Sequence, residues 1–525
     1  MRRLLEALAL ATILTGVAGF QAVAPAPTAP APTAPEGRSE SALPPAVVAH
    51  ALLVTAPSVP PVTTTSAPPT PITPSAVPEP PEESTEDVHV AYGEVAGLTM
   101  FRGSPTRTFY GTGPVPDVPE VLWRFPDAAM CGSSPVGGED KVWCGTGWTG
   151  QPVVWERPDG VTEVIFGAFD KRVHFLDAAT GDPTRPDFTV GDIVKGSVVL
   201  DPDGFPLLYV GSRANRYMVV ALDRDTPTEI WSLPSNYVKG RWNNDWDSSA
   251  VIHNGYLLEG GENSWWFAVE LNRSIGADGL VAVEPEVVAT IPAWSEETLG
   301  AIGNQQSIES STAVFNDTAY FGNGAGRVVG VDLSALGVGS AEVVFDFWAG
   351  DDVDSTIVID EAGMLYVTPQ IDLATARAAE VGQLVKLDPG RPDDPVVWSL
   401  EIPSVGAATG GAWATPALYD GLLYLPTNPG ELLAVDTTTG EVVWRDDVGY
   451  HAWSSPVVVD NSLIVAVNCG SVPALRAYDI SDPRRPVAGW EIPVASGCIE
   501  STPAVWNGRM YVGSRDGYFY AIGNR

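Results

Sequence analysis

Four acidic residues recur in one local context along this chain: Asp247 in DSSA, Glu309 in ESST, Asp354 in DSTI and Glu500 in ESTP. Each acid stands three residues before a small or β-branched residue that opens an apolar run. The same position elsewhere holds Thr149, Lys195, Trp413 and Trp453. If these places converge in space, four carboxylates, one ammonium and two indoles share a ring. Crowded carboxylates repel unless a cation, a lysine or protons intervene, and hard oxygen donors are what Ca²⁺ takes. The spacing therefore proposes Asp247, Glu309 and Asp354 as the ligands of a cation or cationic group. Its plainer alternative is that the acids hydrogen-bond Ser, Thr and backbone groups of adjoining segments, because a buried carboxylate must be satisfied but needs no metal for that. Lys195, Trp413, Trp453 and Glu500 are further candidates for contact with a ligand. So are Trp242 and Asn244 in the polar, aromatic loop RWNNDW at residues 241–246.

Convergence requires elements that bring the positions together. The stretch from Trp413 to Trp444 contains four short apolar runs separated by Asp420-Gly421, Thr427-Asn428-Pro429-Gly430 and Thr437-Thr438-Thr439-Gly440. Glycine supplies the positive φ such turns need, and four runs punctuated in this way read as an antiparallel meander. One such sheet cannot bury both faces and needs copies beside it. Aligning first strands on Pro416 gives Pro152, Val198, Ala250, Thr312, Ile357, Pro416, Pro456 and Pro503, at spacings of 46, 52, 62, 45, 59, 40 and 47 residues. The last unit supplies three strands only, and the lone early strand Glu120–Phe125 is the missing fourth. The expectation is an all-β, eight-bladed β-propeller over residues 95–525, closed by an N-terminal strand that leaves no open edge. The insertions at 273–290 and 372–380 leave seven or nine units open.

The phrases AVDTTTGEVVW (434–444), FLDAATGD (175–182) and YVGSRDGYFYAI (511–522) resemble the repeat of pyrroloquinoline-quinone-type propellers. The resemblance implies that Trp123, Trp231, Trp398, Trp444 and Trp490 dock on the neighbouring blade near its glycine turn. It is shared by quinoprotein dehydrogenases and by non-enzymatic exported propellers, such as the scaffold of the outer-membrane assembly machine, and fold alone does not choose between them. The enzymes hold their quinone over a Trp, under a disulfide between adjacent cysteines, with Ca²⁺ at its carboxylates. Adjacent cysteines are absent here. The expectation is therefore a non-catalytic binding or scaffolding module without the quinone, calcium being the one ion its acids would take. A calcium- and quinone-dependent alcohol or sugar dehydrogenase is the alternative.

Bulk properties narrow the partners. A net charge of −36, from 29 Lys+Arg against 65 Asp+Glu, repels nucleic acid and anionic membranes. Cell-envelope proteins and small neutral or cationic ligands remain, with a monomer expected. Residues 1–24 have the form of an export signal or uncleaved N-terminal anchor, with Arg2 and Arg3 before an apolar run and Ala22-Val23-Ala24 as a cleavage site. Residues 25–94, rich in Pro, Ala and Thr, read as an extended, disordered spacer. Four cysteines in an exported chain suit two disulfides, 131–144 and 469–498 being the favoured pairs. No GxSxG or HExxH motif occurs, and the five histidines are scattered.

Overall fold

The computed structural model describes residues 91–136 and 138–525, within a unit spanning Glu82–Arg525. The expected signal segment and most of the expected spacer lie outside the described residues. Among those described, eight antiparallel sheets follow one another around a ring, each a meander of four strands. Every innermost strand begins one residue after the position aligned on Pro416: Val153–Glu156, Val199–Leu200, Val251–His253, Ala313–Phe315, Val358–Ile359, Ala417–Tyr419, Val457–Val459 and Ala504–Trp506. Blades one to eight are numbered in that order.

The ring closes as its three-stranded last unit demands. Glu120–Phe125 pairs antiparallel with Phe519–Gly523, with Val121 opposite Ile522 and Phe125 opposite Phe519. The insertion at 273–290 carries a two-stranded hairpin, and that at 372–380 leads into the helix Ala376–Val381. Both hang on blades without adding one.

Two of the five outer-strand tryptophans, Trp398 and Trp123, dock as the repeat logic implies, while Trp490 donates to Pro116 O at 2.9 Å. The Trp398 indole N–H donates to Thr437 O at 2.9 Å, and Trp123 donates to Ala178 O at 3.2 Å. A Cβ placed on Gly440 or Gly181, both at positive φ, would lie 2.8 Å from the ring of Trp398 or Trp123. These two turns need glycine for conformation and for room at once.

The acid-Ser-Ser/Thr context also has a mechanical meaning. The first hydroxyl ties the inner strand to its own blade: Ser248 Oγ donates to Gly260 O (2.9 Å), Ser310 Oγ to Gly322 O (3.0 Å), Ser355 Oγ to Thr368 O (3.0 Å) and Ser501 Oγ to Gly513 O (2.8 Å). The second hydroxyl accepts from the preceding blade. Ser311 Oγ accepts from Ser249 N (3.0 Å), Thr356 Oγ1 from Ser311 N (3.1 Å), Thr415 Oγ1 from Thr356 N (3.0 Å) and Ser455 Oγ from Thr415 N (3.0 Å). Hydroxyls, not the carboxylates before them, form this belt around the channel.

A feature absent from the sequence reading fills one end of that channel. Gly97–Leu98 adds antiparallel to the inner strand of blade one, and Gly111–Thr112 adds parallel to that of blade eight. Between them the chain crosses the hub. Pro105 O accepts from Val314 N in blade four and Thr106 O from Ile359 N in blade five. Two arginines pin this plug, each fully buried. Arg102 donates to Thr415 O (2.6 Å), Pro416 O (2.9 Å) and Pro456 O (2.9 Å). Arg107 donates to Phe101 O, Ser249 O, Ala250 O and Thr312 O at 2.6–3.3 Å. Buried inner strands end in carbonyls that must be satisfied, and the guanidinium fork offers five donors in one plane.

Candidate functional site at the channel mouth

The face opposite the plug is built from the connections that lead into each inner strand, and there the recurring position does converge. Thr149, Asp247, Glu309, Asp354 and Trp413 line one cavity of about 10 Å³ together with Trp148 and Phe101 of the plug. That is room for about one water molecule. Trp148, at φ 59°, lies across the opening. Its N–H points to Glu309 Oε2 at 3.4 Å, its ring meets Trp413 at 4.9 Å and Trp453 at 6.3 Å, and the Lys195 ammonium sits 4.1 Å from its centre. A left-handed conformation at a bulky residue is strained and persists only where surrounding contacts hold it.

Charges at the mouth divide into three groups. In the first, Lys195 pairs with Asp247 and lies 3.6 Å from Glu262, while Arg213 Nε reaches Asp245 Oδ2 at 2.5 Å. Asn243 donates to Glu262 at 2.8 Å and to Asp245 at 2.9 Å. Burial would lower the Lys195 pKa, but the carboxylates of Asp247, Glu262 and Glu309 outweigh it and hold the ammonium charged. Burial and the charge of Asp247 push Asp245 up to about 6 and hold Glu262 well above the usual carboxylate range.

In the second group, Glu500 accepts from Arg515 Nη1 (3.0 Å) and meets His451 Nε2 (3.0 Å), and the His451 ring lies 3.6 Å from Trp453. Burial works against the charge of Glu500, yet His451 and Arg515 win and keep its pKa below the ordinary value. The third group is Glu309, Asp352 and Asp354. Gln370 Nε2 donates to Asp354 (3.1 Å) and Asp352 (3.3 Å), and none of the three has an ion-pair partner among the described residues. Burial and the charge of Asp354 push Glu309 up to about 8. Burial and the charge of Glu309 hold Asp352 well above the carboxylate range, and burial and the charge of Asp352 do the same for Asp354.

The three acids singled out by spacing thus face one cavity but are answered differently: Asp247 by lysine, Glu309 by an indole, Asp354 by an amide. Among the described residues, the group of three carboxylates whose oxygens all come within 4.8 Å of one another is Asp245, Asp247 and Glu262. Two of these escaped the spacing argument because they lie outside the recurring position, and the lysine and arginine among them already supply positive charge. Trp242 and Asn244 stand apart from the mouth. Trp242 lines an open groove, and Asn244 is exposed, its carbonyl accepting from Ser235 Oγ at 2.5 Å. Trp148 was missed because nothing in GTGWTG announces a residue that spans the opening.

Cys131–Cys144 and Cys469–Cys498 are the two disulfides, as the sequence favoured. The first clamps a hairpin, Cys131–Val136 with Glu139–Cys144, that stands on the mouth face. Its Trp143 packs edge-on to Trp148 at 6.0 Å.

Architecture and repeat together define a ring-closed, eight-bladed propeller. Residues 380–486 match the family model described as outer membrane protein assembly factor BamB. The fold is shared with BamB from Moraxella catarrhalis, at 14% identity over 78% of this chain and 98% of that one, TM-score 0.50. It is shared too with quinohemoprotein alcohol dehydrogenase from Comamonas testosteroni, at 12% identity over 81% and 80%, TM-score 0.55. Sqt1 from Saccharomyces cerevisiae aligns at 10% identity over 72% and 93%, TM-score 0.51. At such identities the likeness is one of fold, and one neighbour is an assembly factor while another is an oxidoreductase. No curated protein matches this sequence.

Proposed function

We propose that this protein is an exported, non-catalytic binding module of the cell envelope, and that its channel mouth receives a cationic group presented by a protein partner. The observation that carries the reading is the combination of Glu309 and Asp354, part-buried and without a cation of the chain, with the half-open rings of Trp148, Trp413 and Trp453. Aromatic faces beside carboxylates recognise ammonium and guanidinium groups through cation–π attraction and charge. Lys195 over Trp148 already displays that chemistry within the chain. An incoming cation would let Glu309 ionise, so binding would release a proton.

The dehydrogenase alternative fits the residues poorly. A quinone bearing several carboxylates would enter a mouth that holds Asp247, Glu309 and Asp354 and has room for about one water beneath Trp148. Calcium remains a candidate occupant of the oxygen-rich mouth, in competition with Lys195. The test is retention of envelope proteins on immobilised wild-type chain and on E309K and W148A variants, beside a calcium titration followed by thermal melting. A partner held by wild type and lost from both variants supports the reading. Equal retention by all three, or dye reduction after addition of quinone and calcium, overturns it. A calcium-dependent rise in melting temperature that E309Q abolishes would assign the mouth to the metal instead.

A further inference from the structure

A second site lies on the same face, away from the mouth. Between the disulfide-clamped hairpin and the loop at 241–245 runs an open groove of about 570 Å³, a volume that suits a small organic ligand. Trp242 forms one wall. Its side chain is 52% exposed, and it stacks on no other aromatic ring among the described residues. Asn215, Asn243, Asp192, Arg213 and Ser134 line the remainder.

The charges here are already matched: Arg213 with Asp245 at 2.5 Å, and Lys171 with Asp192 at 3.4 Å. No surplus charge is left to recruit an ion, while the protein's strongly negative balance disfavours anions. What remains free is a flat apolar ring and uncharged hydrogen-bonding groups. Ser134 supplies an independent sign of a missing partner. It lines the groove and is fully buried, and its hydroxyl has no hydrogen-bond partner. Such an orphan costs about 1–3 kcal/mol unless something answers it.

We propose that this groove binds a neutral saccharide, one sugar face stacked on Trp242 and its hydroxyls bonded to Asn215 and Ser134. A pyranose presents aliphatic C–H groups on one face and hydroxyl donors and acceptors around its edge, the complement of this lining. The site is independent of the mouth, since it uses neither Glu309 nor Trp148.

The test is a printed array of neutral and anionic glycans probed with the intact protein, followed by calorimetric titration with the best neutral oligosaccharide. W242A and W242F are run beside wild type. Binding of a neutral glycan that W242A weakens by about tenfold or more, and that W242F largely retains, supports the proposal. An unchanged thermal midpoint for W242A shows that the loss is local, as the exposure of the ring requires. Retention of no glycan, retention of anionic glycans alone, or neutral binding indifferent to W242A overturns it.

Discussion

Replacing Arg107 by methionine tests whether the plug is a structural keystone. The guanidinium makes five contacts under 3.5 Å to four backbone carbonyls, from the plug itself and blades three and four. No carboxylate hydrogen-bonds to it, and full burial pushes its pKa down. A hydrogen bond from a charged group contributes about 1.5–3 kcal/mol, so the gross loss is about 6–12 kcal/mol. Against that stands the desolvation of a buried cation, several kcal/mol in its own right. Breaking such an arrangement while leaving the partners buried nets about 3–5 kcal/mol. For a body of this size the melting temperature should fall by on the order of 5 °C. Limited proteolysis should then find new chymotryptic cuts at Phe101 or Tyr110, both buried in the parent chain. An R107M protein with an unchanged midpoint and an uncut plug would refute the reasoning, because methionine would then fill the hub as well as the guanidinium does.

Two further outcomes follow from the site and the staples. Glu309 holds its proton in the folded chain up to about pH 8, against an ordinary value of 4.5. Between those values the folded state binds the extra proton, so stability falls as pH rises, by at most about 1.4 kcal/mol per pH unit from this group. Melting curves from pH 5 to 8 should therefore slope downward in wild type and more gently in E309Q; parallel curves would count against the assignment. The Cys469–Cys498 bridge closes 29 residues and ties a loop of blade seven to its link with blade eight. The double serine variant should lose about 3–4 kcal/mol in chemical denaturation, and a loss below 1 kcal/mol would mean the belt of hydroxyls holds that junction alone.

Blade number, strand starts and ring closure were legible in the chain because they depend on local patterns: turn glycines, four-run meanders and a last unit one strand short. The disulfide pairs were legible because each joins the two cysteines nearest in sequence, 13 and 29 residues apart. The hydroxyl belt was visible as a repeated DSS or EST phrase, but its meaning was assigned to the acid when the hydroxyls do the fastening. Which partner satisfies a group depends on neighbours from other blades, and a repeat alignment does not order them around a closed ring.

Sequence alone therefore determined the wheel and the convergence of one position from every blade at its hub. Only the tertiary structure decided that the hub is plugged by Arg102 and Arg107, roofed by Trp148, and that Lys195 answers Asp247 while Glu309 and Asp354 go without a cation. The physical reason is range. Turn and strand preferences act over a few residues, whereas burial, charge pairing and the strained backbone at Trp148 exist only once segments hundreds of residues apart share the same few ångströms.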